Sequence, residues 1–348
     1  MNPFILISLL LTLGLGTMIT FMSSHWLLAW MGLEINTLAI IPIMARYHHP
    51  RATEAATKYF LAQASAAATL LFAATTNAWL TGQWDIQQIM SPIPNALMII
   101  ALAMKIGLAP IHAWLPEVLQ GLDLATGLLL STWQKLAPLA LLFQIHPLNP
   151  TLTITLGLTS SLVGGWGGLN QTQLRKILAY SSIAHLGWMT LILHFSPPLF
   201  ILTLLVYLII SSSTFLVFKL NNSTNINMLA ISWAKMPALS ALAPPLLLSL
   251  GGLPPLTGFM PKLLIIQELT KQNQALTATV IALSSLLSLF FYLRLTYVMT
   301  LTISPNNLAG TTPWRLQPHK MKLPLATLIS FSLLLLPLTS TSMALLCT

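Results

Sequence analysis

Gly107-Leu108-Ala109-Pro110-Ile111-His112-Ala113-Trp114-Leu115-Pro116-Glu117 lies inside one apolar run of this chain, and Gly252-Leu253-Pro254-Pro255-Leu256-Thr257-Gly258-Phe259-Met260-Pro261-Lys262 lies inside another. Laid together, the two stretches share Gly, Leu and two prolines, and Trp114 meets Phe259. A proline lacks the N–H that an α-helix needs and disfavours helical geometry in the residue before it. The apolar runs that contain these stretches, 93–120 and 238–270, are therefore expected to be long helices broken in the middle, with Gly107, Pro110, Pro254 and Pro255 at the breaks.

The rest of the chain says what those helices are embedded in. Of 348 residues, 55% are hydrophobic and 6% are charged, against about 25% charged in soluble domains. The mean hydropathy of +0.80 describes the whole length, not a single anchor. A spanning helix needs roughly 20 apolar residues, so this length holds about eleven. A transmembrane barrel would alternate apolar and polar positions, and the Leu, Ile and Ala runs here do not. The fold class is all-α, a polytopic membrane helix bundle. Apolar runs between polar or proline-containing breaks place its helices near 3–22, 24–44, 57–80, 93–120, 124–145, 150–169, 175–194, 198–218, 238–270, 275–300 and 324–346.

The formal charge of +9 does not point to nucleic acid, because the basic residues fall singly or in pairs between apolar runs. With the N-terminus on one side, the loops there hold Arg46, Arg51, Lys58, Arg175, Lys176, Lys219, Lys235, Arg315, Lys320 and Lys322, and the other side holds Lys271. That bias makes the first side cytoplasmic or matrix and puts the C-terminus opposite. The two broken helices are five apart in order and so cross in opposite directions. This is the pattern of an inverted five-helix repeat: 1–146, then 150–303, then a loop and last span over 304–348. The single cysteine, Cys347, excludes an internal disulfide and any Cys-ligated zinc or iron–sulfur centre built by this chain alone. Met1-Asn2-Pro3 runs into apolar sequence with no basic leader or cleavage site, so insertion where the chain is made is expected.

Ionisable groups within the apolar segments are few: Glu34, Lys105, Lys135, His185, Lys262 and Arg294. A charge at the bilayer centre costs about 2.5 to 3.5 kcal/mol even on lenient scales, so such groups are paired, hydrated or functional. Lysine gives up a proton readily when desolvated and holds it beside a carboxylate, whereas arginine stays charged. Arg294, near a helix end, reads as a snorkelling residue. Glu34 has two readings. As a switch, it holds the proton on Lys105 while the two are close and releases it when they part; as a static pair, it only locks two helices. Pro110 should free a carbonyl near Lys105, at the partly negative end of a half-helix, whereas Lys262 begins a second half-helix at its partly positive end. His112 and His185 read as proton-relay or water-ordering groups, with ordinary hydrogen-bonding histidines as the alternative; His48, His49 and His319 fall in loops. No phosphate loop, Ser-His-Asp arrangement or metal-binding carboxylate cluster appears, and Trp residues near helix ends read as interfacial anchors.

Five ordered motifs carry a resemblance: Trp-x-Gly-Leu-Glu-Ile-Asn at 30–36, Lys-x-Gly-Leu-Ala-Pro-x-His-x-Trp-Leu-Pro-Glu at 105–117, Trp-Gln-Lys-Leu-Ala-Pro at 133–138, Leu-Ala-Tyr-Ser-Ser-Ile-Ala-His at 178–185 and Gly-Leu-Pro-Pro-Leu-Thr-Gly-Phe-x-Pro-Lys at 252–262. Together they resemble the antiporter-like membrane subunits of respiratory complex I, over essentially the whole chain. The resemblance implies that Glu34, Lys105, Lys135 and Lys262 are proton-pathway groups in a subunit of the mitochondrial inner membrane. It also implies that NADH, flavin, iron–sulfur clusters and ubiquinone belong to other subunits, with those membrane and accessory subunits and lipids as partners. Compared with longer family members the chain has about three fewer N-terminal helices and no long lateral helix. An autonomous cation/proton antiporter and a purely structural membrane subunit are the alternative functions.

Overall fold

The computed structural model describes residues 2–46, 48–88, 91–145, 150–301 and 322–347. Arg315, His319, Lys320 and the expected loop over 304–321 lie outside the described residues. All regular structure among the described residues is helical, apart from two isolated bridges, His25 with Asp85 and Gln173 with Asn225. The chain divides into two compact units, Met1–Gly157 and Leu158–Thr348.

The first unit contains α1 (Pro3–Met22), α2 (Trp26–Met44), α3 (Pro50–Thr81), α4 (Pro92–Ile106), α5 (Trp114–Gly121), α6 (Leu124–Ser131) and α7 (Trp133–Gln144). α3 begins seven residues earlier than the hydropathy pattern predicts. Pro50 occupies its first turn and the His49 ring accepts from the Arg51 N–H, so the helix is capped well before its apolar part. Its 32 residues extend about 48 Å, more than a hydrocarbon core of about 30 Å. Arg51 and Lys58 therefore lie on the helix's opening turns and not in a loop.

The run 124–145, expected as one helix, is two. Ser131 and Thr132 both turn their hydroxyls back on the Leu128 carbonyl, at 3.1 and 2.7 Å, an arrangement that bends helices. Pro138 then removes the bond that the Gln134 carbonyl would accept. The chain restarts at Trp133, with the Lys135 N–H reaching the Thr132 carbonyl at 3.3 Å.

α8 (Pro150–Gly168) runs across the boundary between the units. The second unit continues with α9 (Leu174–Ile192), α10 (Pro197–Leu220), two short helices α11 (Ile226–Ala230) and α12 (Ser232–Lys235), α13 (Pro237–Gly251), α14 (Phe259–Lys271), α15 (Ala275–Leu301), α16 (Lys322–Leu334) and α17 (Leu336–Cys347). The last expected span, 324–346, is also divided, at Leu335, because Pro337 cannot continue the preceding helix and instead sits in the first turn of α17.

The outer faces are apolar, as a lipid solvent requires: Phe4, Trp79, Trp166 and Leu323 are all largely exposed. Five helices, α1, α2, α3, α10 and α15, are long and apolar enough by themselves to cross a membrane.

Candidate functional site

In each unit the conspicuous feature is a helix that stops, crosses a short irregular stretch and starts again. α4 ends on Gly107, whose φ of 87° places it in the left-handed region, and α13 ends on Gly252 with φ 78°. The N–H groups of Gly107 and Leu108 both turn back to the Ala103 carbonyl, and those of Gly252 and Leu253 both reach the Leu248 carbonyl. Pro110 lies in the first break, Pro254 and Pro255 in the second; the Ala109–Pro110 and Pro254–Pro255 bonds are cis.

At the first break the last carbonyls of α4 find partners from elsewhere. Trp114 folds back so that its indole N–H donates to the Met104 carbonyl at 3.1 Å, and Gln63 on α3 donates to the Lys105 carbonyl at 3.2 Å. Trp114 is thus a cap and not an interfacial anchor, and Tyr59 packs edge-on against it at 5.7 Å. With the carbonyls occupied, the Lys105 ammonium is left to Glu34 on α2, its Nζ 4.0 Å from Oε1. The two groups differ in setting: the lysine side chain is 2% exposed and the glutamate 25%. The Thr37 hydroxyl stands 3.3 Å from the other Glu34 oxygen.

Lys135, in the first turn of α7, is buried and lines the same cavity as Lys105, about 20 Å³ in volume. That is room for about one water. Gln134, its neighbour, donates to the Asn36 carbonyl at 3.1 Å, so the helix of Glu34 and the helix of Lys135 are tied beside that cavity. His112 stands apart, in the break, with its Nδ1 3.2 Å from the Pro110 carbonyl oxygen.

At the second break Lys262 is in the first turn of α14, where the sequence places it at a partly positive helix end. Its side chain leaves that end: it lies over Gly252 and donates from Nζ to the Gly251 carbonyl, the last of α13, at 2.7 Å. The ammonium therefore meets the partly negative end of the preceding half-helix. It also faces the Trp188 ring at 5.7 Å from the centroid. Lys262, His185 and Tyr207 share a cavity of about 30 Å³, and the His185 and Tyr207 rings are 5.7 Å apart.

Two further charged groups have partners that the sequence does not show. Arg294 does not merely snorkel, because its guanidinium donates to the Leu169 carbonyl at 2.9 Å, just beyond α8. Glu117, which aligns with Lys262, is at the protein surface, where Lys58 bridges it and Glu54 at 2.8 Å each. The i,i+4 spacing of Glu54 and Lys58 signals only the pair between those two. Gln63 and Gln134 went unremarked in the sequence; each is an amide inside an apolar segment, which is the signal that could have marked them. Among the described residues no three His, Cys, Asp or Glu side chains converge as a metal site would.

Residues 23–288 match the family model of the transmembrane part of NADH:quinone oxidoreductases and Mrp antiporters, and 289–343 match that of the C-terminus of NADH dehydrogenase subunit 2. The chain is 70% identical to NADH-ubiquinone oxidoreductase chain 2 of Tetraodon nigroviridis, over 97% of each chain. It belongs to the NADH-ubiquinone oxidoreductase chain 2 family. The relative from Gadus morhua is 66% identical over 99% of each chain. Among solved structures, a chain of respiratory complex I from Thermus thermophilus with bound Aureothin superposes with a TM-score of 0.83 at 27% identity, covering 97% of this chain and 80% of that one. A chain of the archaeal membrane-bound sulfane sulfur reductase gives 0.85 over 97% and 74%, at 18% identity, which speaks to the fold alone.

Proposed function

We infer that this chain is a subunit of the respiratory NADH–ubiquinone oxidoreductase in the mitochondrial inner membrane and that it carries protons through its buried charged groups. In the first unit those groups are Glu34, Lys105 and Lys135; in the second they are His185 and Lys262. The observation that carries this reading is the Lys105 ammonium, enclosed in the protein 4.0 Å from one carboxylate oxygen and sharing a one-water cavity with a second buried lysine. A lysine so placed keeps its proton while Glu34 is near and passes it on when the carboxylate withdraws. A water in the cavity is the short link by which the proton reaches Lys135. In the second unit, Lys262 exchanges its proton with the water shared with His185, and the Gly251 carbonyl supports the charged form between transfers.

This chain supplies the proton-handling groups, and the NADH, flavin, iron–sulfur and ubiquinone chemistry takes place in the other membrane and accessory subunits, which drive it from outside. The segments 1–146 and 150–303 are proposed to be inverted repeats of one five-helix design, with 304–348 outside the repeat. Shared residues at 107–117 and 252–262 and the like conformations of Gly107 and Gly252 support that reading. The charge bias of the loops supports an N-terminus in the matrix and a C-terminus in the intermembrane space.

The test is the complex assembled with Lys105→Met or Lys105→Arg and reconstituted into liposomes, with protons translocated measured per NADH oxidised. Both variants should lower the ratio, methionine because it has no proton to carry and arginine because it keeps its own. Arginine pumping at the wild-type ratio would overturn a protonation cycle at this position.

A further inference from the structure

The crossing between α13 and α14 is built mostly from bonds that close on themselves. Leu253 returns its N–H to the Leu248 carbonyl, Leu256 to Leu253 and Phe259 to Leu256, at 3.3, 3.0 and 3.1 Å. Gly258 sits so close to α13 that a Cβ there would overlap the Ser249 carbonyl. Thr257 departs from this pattern. It is 1% exposed, and its hydroxyl donates to the Ser332 carbonyl on α16, 75 residues away. Among the described residues this is the one hydrogen bond from residues 253–258 to a helix other than α13 and α14.

Ser332 is buried too, and its own hydroxyl turns back to the Ile329 carbonyl at 2.8 Å, so the tie to Thr257 uses its backbone alone. α16 ends two residues later, at Leu334, and Pro337 leaves the Leu333 carbonyl without its helical donor. The interruption in the last span thus lies beside the interruption between α13 and α14. α16 packs against both α10 and α13, which hold the acceptor in place. The first break is tied differently. The residue aligned with Thr257 is His112, which stands 3.2 Å from the Pro110 carbonyl of its own crossing, and the tie from outside comes from Gln63 on α3. α3 belongs to the same five-helix segment as the break it holds, whereas α16 lies in 304–348, outside the proposed repeat.

We propose that Thr257 is a positioning residue for Lys262, and that α16 is the fixed point against which it sets the second break. The inference rests on the reading of Lys262 as a proton carrier and adds what keeps that lysine in place. Lys262 depends on geometry that the crossing controls. Its Nζ reaches the Gly251 carbonyl at 2.7 Å, and a displacement of about 1 Å would take it beyond hydrogen-bond reach. Gly258, next to Thr257, lines the same cavity as Lys262, so movement of Thr257 moves a wall of that cavity together with the start of α14. A buried hydroxyl on a buried carbonyl resists such movement, because parting would strand both groups away from water.

The experiment compares Thr257→Val, Thr257→Ser, Ser332→Ala and Lys262→Met in the intact complex in liposomes, reading assembled complex, NADH oxidation and protons per NADH. Valine keeps the shape of threonine and removes the donor, serine keeps the donor, and Ser332→Ala leaves the accepting carbonyl in place. The expected result is a fall in ratio for Thr257→Val of the same fraction as for Lys262→Met, at unchanged assembly, with the Thr257→Val/Lys262→Met pair no worse than either alone. Thr257→Ser and Ser332→Ala should keep the wild-type ratio. A hydroxyl that only stabilises the fold would lower assembly and leave the ratio of the assembled complex unchanged. Where Thr257→Val does not assemble, Thr257→Cys, with a weaker donor, takes its place and should give a ratio between wild type and Lys262→Met. The wild-type ratio for Thr257→Val or its cysteine substitute with Lys262→Met impaired, or equal losses for Thr257→Val and Thr257→Ser, would overturn the role of Thr257 and leave that of Lys262 standing. Lys262→Met at the wild-type ratio would overturn both.

Discussion

Replacing Glu34 and Lys105, singly and together, separates a working charge pair from an inert one. At 4.0 Å and an effective dielectric constant of about 20, the attraction is about 4 kcal/mol. Burying the ammonium costs several kcal/mol, so the intact pair contributes little net stability. Breaking it is another matter, and the two single variants should differ. Glu34→Gln leaves an ammonium that is 2% exposed without its counter-charge, at a cost of about 3 to 5 kcal/mol. Lys105→Met leaves a carboxylate that is 25% exposed and still beside the Thr37 hydroxyl, a cost nearer to about 1 to 3 kcal/mol. Assembled complex on native gels should therefore fall more for Glu34→Gln than for Lys105→Met, and the double variant should recover most of it. Proton translocation per NADH should stay low in all three, because the carrier or its partner is gone. If other subunits pump in parallel, the ratio falls by this subunit's share. A double variant that assembles and pumps at the full wild-type ratio would refute the switch and make the pair structural. Lys105→Met assembling worse than Glu34→Gln would refute the argument from burial.

Gln63→Leu should lower the midpoint of thermal inactivation of the complex, by the loss of about 1 to 3 kcal/mol for a buried carbonyl left without its donor; an unchanged midpoint would mean that the Lys105 carbonyl does not depend on Gln63. Gly252→Ala and Gly107→Ala should each cost about 1 to 2 kcal/mol for a left-handed backbone. Only the first sets a Cβ 2.8 Å from the Lys262 side chain, the second meeting Leu115 instead, so proton pumping should fall more for Gly252→Ala. Equal losses would count against the placement of Lys262. Cysteines introduced at 170 and 273 should react with impermeant reagents from the matrix and the intermembrane space respectively, and labelling of both from one side would exclude the proposed orientation.

Much of the architecture is legible in the chain because its causes are local or compositional. An apolar sequence with 6% charge has only helices or closed barrels open to it in lipid, since every backbone polar group must be satisfied internally, and the missing alternation removes the barrel. Gly and Pro act on their immediate neighbours, so the breaks in α4–α5 and α13–α14 can be read residue by residue. The cost of buried charge singles out Glu34, Lys105, Lys135 and Lys262 without any partner being known.

Tertiary structure alone decided how those groups are satisfied. The Lys105 carbonyl is taken by Gln63, 42 residues away, and the Asn36 carbonyl by Gln134, 98 residues away. Lys262 escapes the unfavourable helix end that its position implies because the break turns the carbonyl of Gly251 toward it. The division of α6 from α7 depends on whether two hydroxyls turn to their own helix or to solvent, and packing makes that choice. Local propensity acts over a few residues, whereas the partner of a buried donor or acceptor is whichever segment the fold brings within about 3 Å. The chain thus states which groups need partners, and only the folded bundle assigns them.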